Sequence, residues 1–226
     1  MKTIAIVCGG DSSEHDVSMR SAEGIASFID SERYLIYKVE ICAGKWEAML
    51  PDGSRAMVCK DDFSFVVEGE RIRPDMCYIT IHGAPGENGE LQGYFDLIGM
   101  PYSTCGVLVE ALTYDKFVLN NYMRAFGVSV ADSLLVKIGH DKEVSDEDIV
   151  SRIGLPCFVK PSRGGSSFGT TKVKTVEALR PAIELALEEG EDVMVESFMG
   201  GTEITCGCYK TKQKSVVFPI TEVVPQ

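Results

Sequence analysis

Apolar and polar positions switch repeatedly between a period of two and a period near 3.6 along this chain. Residues 3–8 form a β-branched apolar run that predicts a buried strand. A polar, glycine-containing stretch follows, and apolar spacing over 17–29 predicts a helix. Residues 34–42 predict a second strand. Residues 45–73 alternate around Pro51-Asp52-Gly53 and Glu68-Gly69, the pattern of hairpins. Another buried strand is predicted at 76–81, and a helix at 90–98 closed by Gly99-Met100-Pro101. Strands alternating with helices argue a parallel α/β sheet, whose ligand groups gather beyond the carboxyl ends of its strands. Two such ends, Gly9-Gly10 and His82-Gly83, carry conspicuous polar residues.

A second unit begins near Cys105-Gly106. Residues 107–126 predict one long amphipathic helix carrying Lys116. Strands are predicted at 129–138 and 156–160, with a charged helical insert at 145–153. A strand at 170–173, a helix at 176–189, and strands at 192–195, 203–209 and 215–223 complete the pattern. The expected organisation is therefore an α/β amino-terminal domain with a parallel sheet over 1–104, a second unit over 105–195, and a strand-rich third unit over 196–226 that stops before closing a core.

Composition changes this picture little. The 226 residues are 45% hydrophobic and 25% charged, an ordinary globular profile, and long enough for one large or two small cores. The net charge of −12 disfavours nucleic acid and anionic membrane as partners. It leaves room for ATP, which needs only local positive charge. The eight cysteines are scattered, mostly in apolar runs where cysteine acts as a small buried hydrophobe. Cys206-Gly207-Cys208 has no second pair or histidine to complete a metal site. Neither a signal peptide nor a long apolar span is evident, so a reducing cytoplasm is expected.

The chemistry concentrates in four segments. Residues 158–169 read F-V-K-P-S-R-G-G-S-S-F-G. A strand delivers Lys160 to a loop of small residues, including Ser162, Ser166 and Ser167. Glycines allow close backbone approach, successive N–H groups make anion-binding concavities, and hydroxyls and an ammonium add donors and charge. The order is not the Walker pattern, because the lysine precedes the glycines. Alone, the segment reads equally well as a surface loop after a strand. Residues 9–18, G-G-D-S-S-E-H-D-V-S, place Glu14 and Ser18 where a strand feeds a helix. Ordinary N-capping explains them, as does a role for Glu14 in holding a substrate ammonium. Residues 82–93, H-G-A-P-G-E-N-G-E-L-Q-G, read as a turn and a helix cap with His82 a hydrogen-bonded structural histidine, or, more sharply, with His82 meeting a substrate carboxylate. Residues 193–205, V-M-V-E-S-F-M-G-G-T-E-I-T, are a hairpin or an adenosine site, with backbone reading adenine and Glu203 accepting from ribose. Lys116 is a surface charge unless it pairs with Lys160 as a second phosphate clamp.

These segments, in this order, resemble the D-alanine–D-alanine ligases of the ATP-grasp superfamily. The resemblance covers the whole chain, and the combination is specific where a single motif is not. It implies an ATP-grasp domain, incomplete here, after the amino-terminal domain. It also implies ATP-dependent joining of two D-alanines through a D-alanyl phosphate, for peptidoglycan. By resemblance, Glu14 binds the first amino group, with Ser18 and His82 nearby, and His82 lies near the first carboxylate. Ser166 joins Glu14 in the network that closes the loop. Lys116, Lys160, Ser162 and Ser167 hold ATP phosphates. Glu196, Ser197 and Met199 contact adenine, and Glu203 contacts ribose. Asn88 stands where the family commonly has aspartate, a mild departure. Family members continue well past this length, and the magnesium ligands are expected in that part, with none in this chain. The 226-residue chain alone is therefore expected not to ligate. A homodimer through the amino-terminal unit is expected. A D-Ala-D-Lac or D-Ala-D-Ser ligase, or a non-catalytic nucleotide-binding remnant, remains an alternative. A dinucleotide oxidoreductase is disfavoured, because Gly9-Gly10 lacks the G-x-G-x-x-G spacing.

Overall fold

The first strand, β1 (Lys2–Gly9), is buried on both faces: Ala5, Ile6, Val7 and Cys8 are all fully enclosed. Such a strand belongs at the centre of a covered parallel sheet. In the computed structural model, which describes residues 1–140, 144–165, 168–190 and 192–224, β1 lies between β2 (Tyr34–Cys42) and β7 (Met76–Ile79), parallel to both. The sheet continues antiparallel through β3 (Lys45–Met49) to β4 (Arg55–Met57). It is thus parallel at its centre and hairpin-built at one edge. The turns at 51–53 and 43–44 are too short for the crossover a parallel neighbour needs. A further hairpin, β5 (Phe65–Val67) with β6 (Glu70–Ile72), supplies Phe65 to the core.

Side-chain alternation along β1 splits the packing. Ile6 and Cys8 meet Ala22, Met19 and Ile25 of α1 (His15–Phe28). Ala5 and Val7 face the larger core of Phe63, Phe65, Leu91, Phe95 and Met100, partly supplied by α2 (Glu90–Leu97). Phe95 is fully buried and stands edge-on to Phe63, with ring centroids 5.0 Å apart.

The second sheet is wholly antiparallel, in the order β10 (Thr171–Val173), β9 (Cys157–Pro161), β11 (Asp192–Ser197), β8 (Ser133–Lys137). Val159, Val193 and Val195 point into a core roofed by α5 (Asp146–Ile153) and α6 (Leu179–Glu189). The opposite face stays open and carries Phe158, Lys160 and Glu196. A single 3-10 turn, Val176–Ala178, precedes α6. Beyond β11 the expected two long strands are four short ones: β12 (Ile204–Thr205) pairs with β15 (Thr221–Glu222), and β13 (Cys208–Lys210) with β14 (Ser215–Val217).

A helix expectation is corrected as well. The single helix predicted at 107–126 is two, α3 (Val107–Tyr114) and α4 (Lys116–Ala125), broken at Asp115. Asp115 is extended (φ −95°, ψ 105°), and its carboxylate accepts from the Val118 N–H at 3.1 Å as the α4 N-cap. Aspartate is a poor interior residue and a strong cap. The apolar spacing ran on through the break and concealed it. Lys116 is therefore the first residue of α4 and not a mid-helix surface lysine.

Two outcomes are expected of this fold. Phe95→Ala removes a fully buried ring and is expected to cost about 3–5 kcal/mol of unfolding free energy by urea titration. His15 hydrogen-bonds to Asp16 (3.3 Å) and to Glu40 (3.0 Å), and both raise its pKa above 6.5. Asp16 is solvent-exposed, so Glu40, which also meets Arg55, is the steadier partner. A raised imidazole pKa stabilises the fold fully below 6.5, and that stability is lost as pH rises through the folded value. The stability gap between wild type and His15→Gln is expected to close as pH is raised from 6 towards 9, by urea titration; a gap independent of pH refutes the assignment.

Candidate active site

The ends of β1 and β7 meet through backbone. Gly10 has φ +99°, and a Cβ there would lie 2.6 Å from Ile81 Cγ2, so only glycine lets the two loops pass. The Ser12 hydroxyl donates to the His82 carbonyl (2.8 Å), and the Asp11 N–H donates to the Ala84 carbonyl (3.1 Å). Glu14 stands at the α1 N-cap position, yet its carboxylate makes no capping bond. It is 8% exposed and turned towards the glycine loop. A Cβ on Gly165 would fall 2.5 Å from Glu14 Oε2, so the loop from the second sheet presses directly on the strand-end carboxylate of the first.

This contact separates two clefts. One, of about 480 Å³, is lined by Ser13, Glu14, Asn88, Tyr114, Arg163 and Gly165. The other, of about 500 Å³, is lined by Lys116, Phe158, Lys160, Gly164, Glu196 and Glu203. In the second cleft the Lys116 ammonium donates to the Gly164 carbonyl (2.6 Å) and the Lys160 ammonium to Glu196 (2.5 Å). Burial, then the neighbouring Lys160 charge, hold the Lys116 pKa below the usual lysine range. Two neighbouring cations beside open space can receive an anion.

The remaining expected residues fall elsewhere. Ser18 is fully buried; its hydroxyl accepts from the Gly9 N–H (3.0 Å) and donates to the Thr80 carbonyl (2.8 Å), so it ties α1 to the strand ends. Ser162 is likewise fully buried, donating to Asp115 (2.6 Å). His82 joins the junction through its carbonyl and lines a neighbouring cleft with Thr80, Glu87 and Glu110. Ser197 binds the backbone N–H of Asp132 through its hydroxyl (3.1 Å), and Met199 is 61% exposed. Ser166 and Ser167 lie outside the described residues. Sequence reasoning gave no site role to Asp115, to Arg163, or to Glu87, which it read as preceding a helix and whose carboxylate accepts from the Gly83 N–H (2.8 Å). An aspartate inside a helical pattern, just before a lysine, is the signal that points to Asp115.

An antiparallel sheet with a lysine-bearing open face, a glycine loop at its edge, and an α/β domain whose strand ends meet that loop define the ATP-grasp class of ligase. Residues 3–105 match the family model for the D-ala D-ala ligase N-terminus and residues 122–226 that for the D-ala D-ala ligase C-terminus. The chain is 61% identical over 223 residues to the D-alanine–D-alanine ligase of Phocaeicola vulgatus and 62% identical to that of Bacteroides fragilis, covering 99% of this chain and 68% of each relative. Among solved structures it superposes on D-alanyl-alanine synthetase A of Vibrio cholerae (TM-score 0.87, 27% identity, 100% of this chain and 68% of that one). It also superposes on a D-Ala:D-Ser ligase of Enterococcus faecalis (TM-score 0.85, 30% identity, 98% and 69%). The chain belongs to the D-alanine–D-alanine ligase family.

Removing the Lys160 charge is expected to raise the Lys116 pKa. In Lys160→Met, the ¹³C resonance of dimethylated Lys116 titrates at higher pH than in the wild type; an unchanged titration shows that the ammonium groups do not sense each other.

Proposed function

We propose that this chain carries the nucleotide and first-substrate sites of an ATP-dependent enzyme that joins two D-alanines for peptidoglycan. One observation carries the reading: the glycine loop is pressed onto a buried carboxylate on one side and bonded to a cleft lysine on the other. That geometry supports an amino acid and a polyphosphate bound on adjacent sides of one loop.

Glu14, barely exposed, offers a counter-charge for the ammonium of the first D-alanine. Lys116 and Lys160 take the phosphates, which relieve their repulsion and draw Lys160 from Glu196. Phe158, Glu196 and Glu203, further along the open face, bound the nucleoside end. ATP supplies the transferable phosphoryl group. A D-alanine carboxylate oxygen bonds to the γ-phosphorus as the bond to ADP breaks. The amine of a second D-alanine then attacks the acyl carbon, and phosphate leaves with the former carboxylate oxygen. The protein's part is positioning and charge neutralisation, with the loop keeping water from the acyl phosphate. Among the described residues no group of three or more His, Cys, Asp and Glu is placed to hold a metal ion.

All eight cysteines are free thiols, which supports a reducing cytoplasm as the compartment. Among the described residues no helix is long and apolar enough to cross a membrane. Family resemblance supports a homodimer.

The test measures ADP release and dipeptide with MgATP and D-alanine, L-alanine as control, and D-serine and D-lactate as competing second substrates. It uses this chain and a version continued along the coding sequence past Gln226. ADP and D-Ala-D-Ala from the continued protein, with D-alanine and not with L-alanine, are expected. A continued protein that binds ATP but turns over none of these substrates overturns the proposal.

A further inference from the structure

We infer that Asp115 is a positioning residue that holds Lys116 and the base of the glycine loop in one fixed arrangement. The inference rests on the nucleotide reading of the cleft and goes beyond it, since Asp115 touches neither cleft.

The carboxylate is 8% exposed and spends both oxygens on different elements. Oδ1 accepts from the Val118 N–H (3.1 Å) and from the Ser162 hydroxyl (2.6 Å). Oδ2 accepts from Arg163 Nε (3.0 Å). The backbone repeats the link: Asp115 and Arg163 form an antiparallel bridge, and the Lys116 N–H donates to the Ser162 carbonyl (2.8 Å). One carboxylate therefore starts the helix whose first residue is Lys116 and pins the two residues that precede Gly164. Gly164 is the residue whose carbonyl receives the Lys116 ammonium.

The arrangement needs such a support. Lys116 sits in partly buried space facing another ammonium, and both burial and repulsion favour its withdrawal to water. Its alignment is bought by the surrounding bonds. A buried carboxylate with three donors in linked elements is strongly coupled to all of them. Burial opposes its ionisation, but the hydrogen bonds from Ser162, Val118 and Arg163 outweigh this and hold its pKa below the usual carboxylate range, so it stays charged at neutral pH.

Two variants separate the helix-capping role from the loop-positioning one. Asp115→Asn can keep Oδ1 for Val118 and Ser162 while turning an amide N–H towards Arg163, where two donors face each other. Arg163→Gln removes the same contact from the other side. In the catalytically active, continued protein, each is expected to raise the ATP KM roughly 5- to 20-fold with the thermal midpoint near the wild type, and Asp115→Asn, which lines neither cleft, is expected to leave the D-alanine KM unchanged. The double variant is expected to be no worse than either single one. In ligand-free protein, tryptic cleavage after Arg163 is expected to be at least about fivefold faster in Asp115→Asn than in wild type at equal thermal midpoint. An unchanged ATP KM together with unchanged cleavage overturns the inference. So does a lowered midpoint with kcat and both KM values worsening together, which makes Asp115 merely structural. If the wild type binds no ATP, the nucleotide reading fails, and the cleavage rates still decide whether Asp115 pins the loop.

Discussion

The register of β9 against β11 is the constraint on which the site depends. Side chains alternate strictly along a strand, so a slip of one residue exchanges the two faces of the sheet. With Val195 opposite Val159 and Met194 opposite Lys160, the valines close the core under α6, while Lys160, Phe158 and Glu196 share the open face. The alternative register buries an ammonium and exposes a valine. The cost of burying an unpaired charge therefore selects the same pairing that the hydrophobic core selects. Core packing and nucleotide chemistry are specified by one set of hydrogen bonds.

The loop that follows β9 inherits this orientation and brings the two sheets into contact. Its small residues serve different neighbours. Gly165 yields space to the Glu14 carboxylate, Gly164 turns its carbonyl to Lys116, and Ser162 closes onto Asp115. The described residues 162–165 of the loop are held at three points by charged partners. The two clefts are consequently two sides of the same short segment.

Much of this was legible from residue order. The β-branched run at β1, the second strand at 34–42, and the helices at 90–97 and 146–153 follow from apolar period and turn residues. The local nature of those signals is why they read true. Lys116 and Lys160 were recognisable as a pair only through family resemblance, since 44 residues separate them in the chain and their proximity is tertiary. Ser18 and Ser162 were drawn into the site by their neighbours in sequence, whereas their hydroxyls face backbone and carboxylate partners in the interior. A hydroxyl's direction depends on what packs beside it, which residue order does not record.

What the sequence by itself determined was the alternation of elements, the antiparallel edge of the first sheet, and the family to which the loop motifs belong. Each of these is set by local period, turn chemistry or a specific string of residues. What only the tertiary structure decided was the break at Asp115, the pressure of Gly165 on Glu14, and the placing of His82 at a neighbouring cleft. These depend on contacts between elements far apart in the chain. A helix pattern persists through a break when the new cap is stabilised by a distant serine and arginine, and only packing places those partners there.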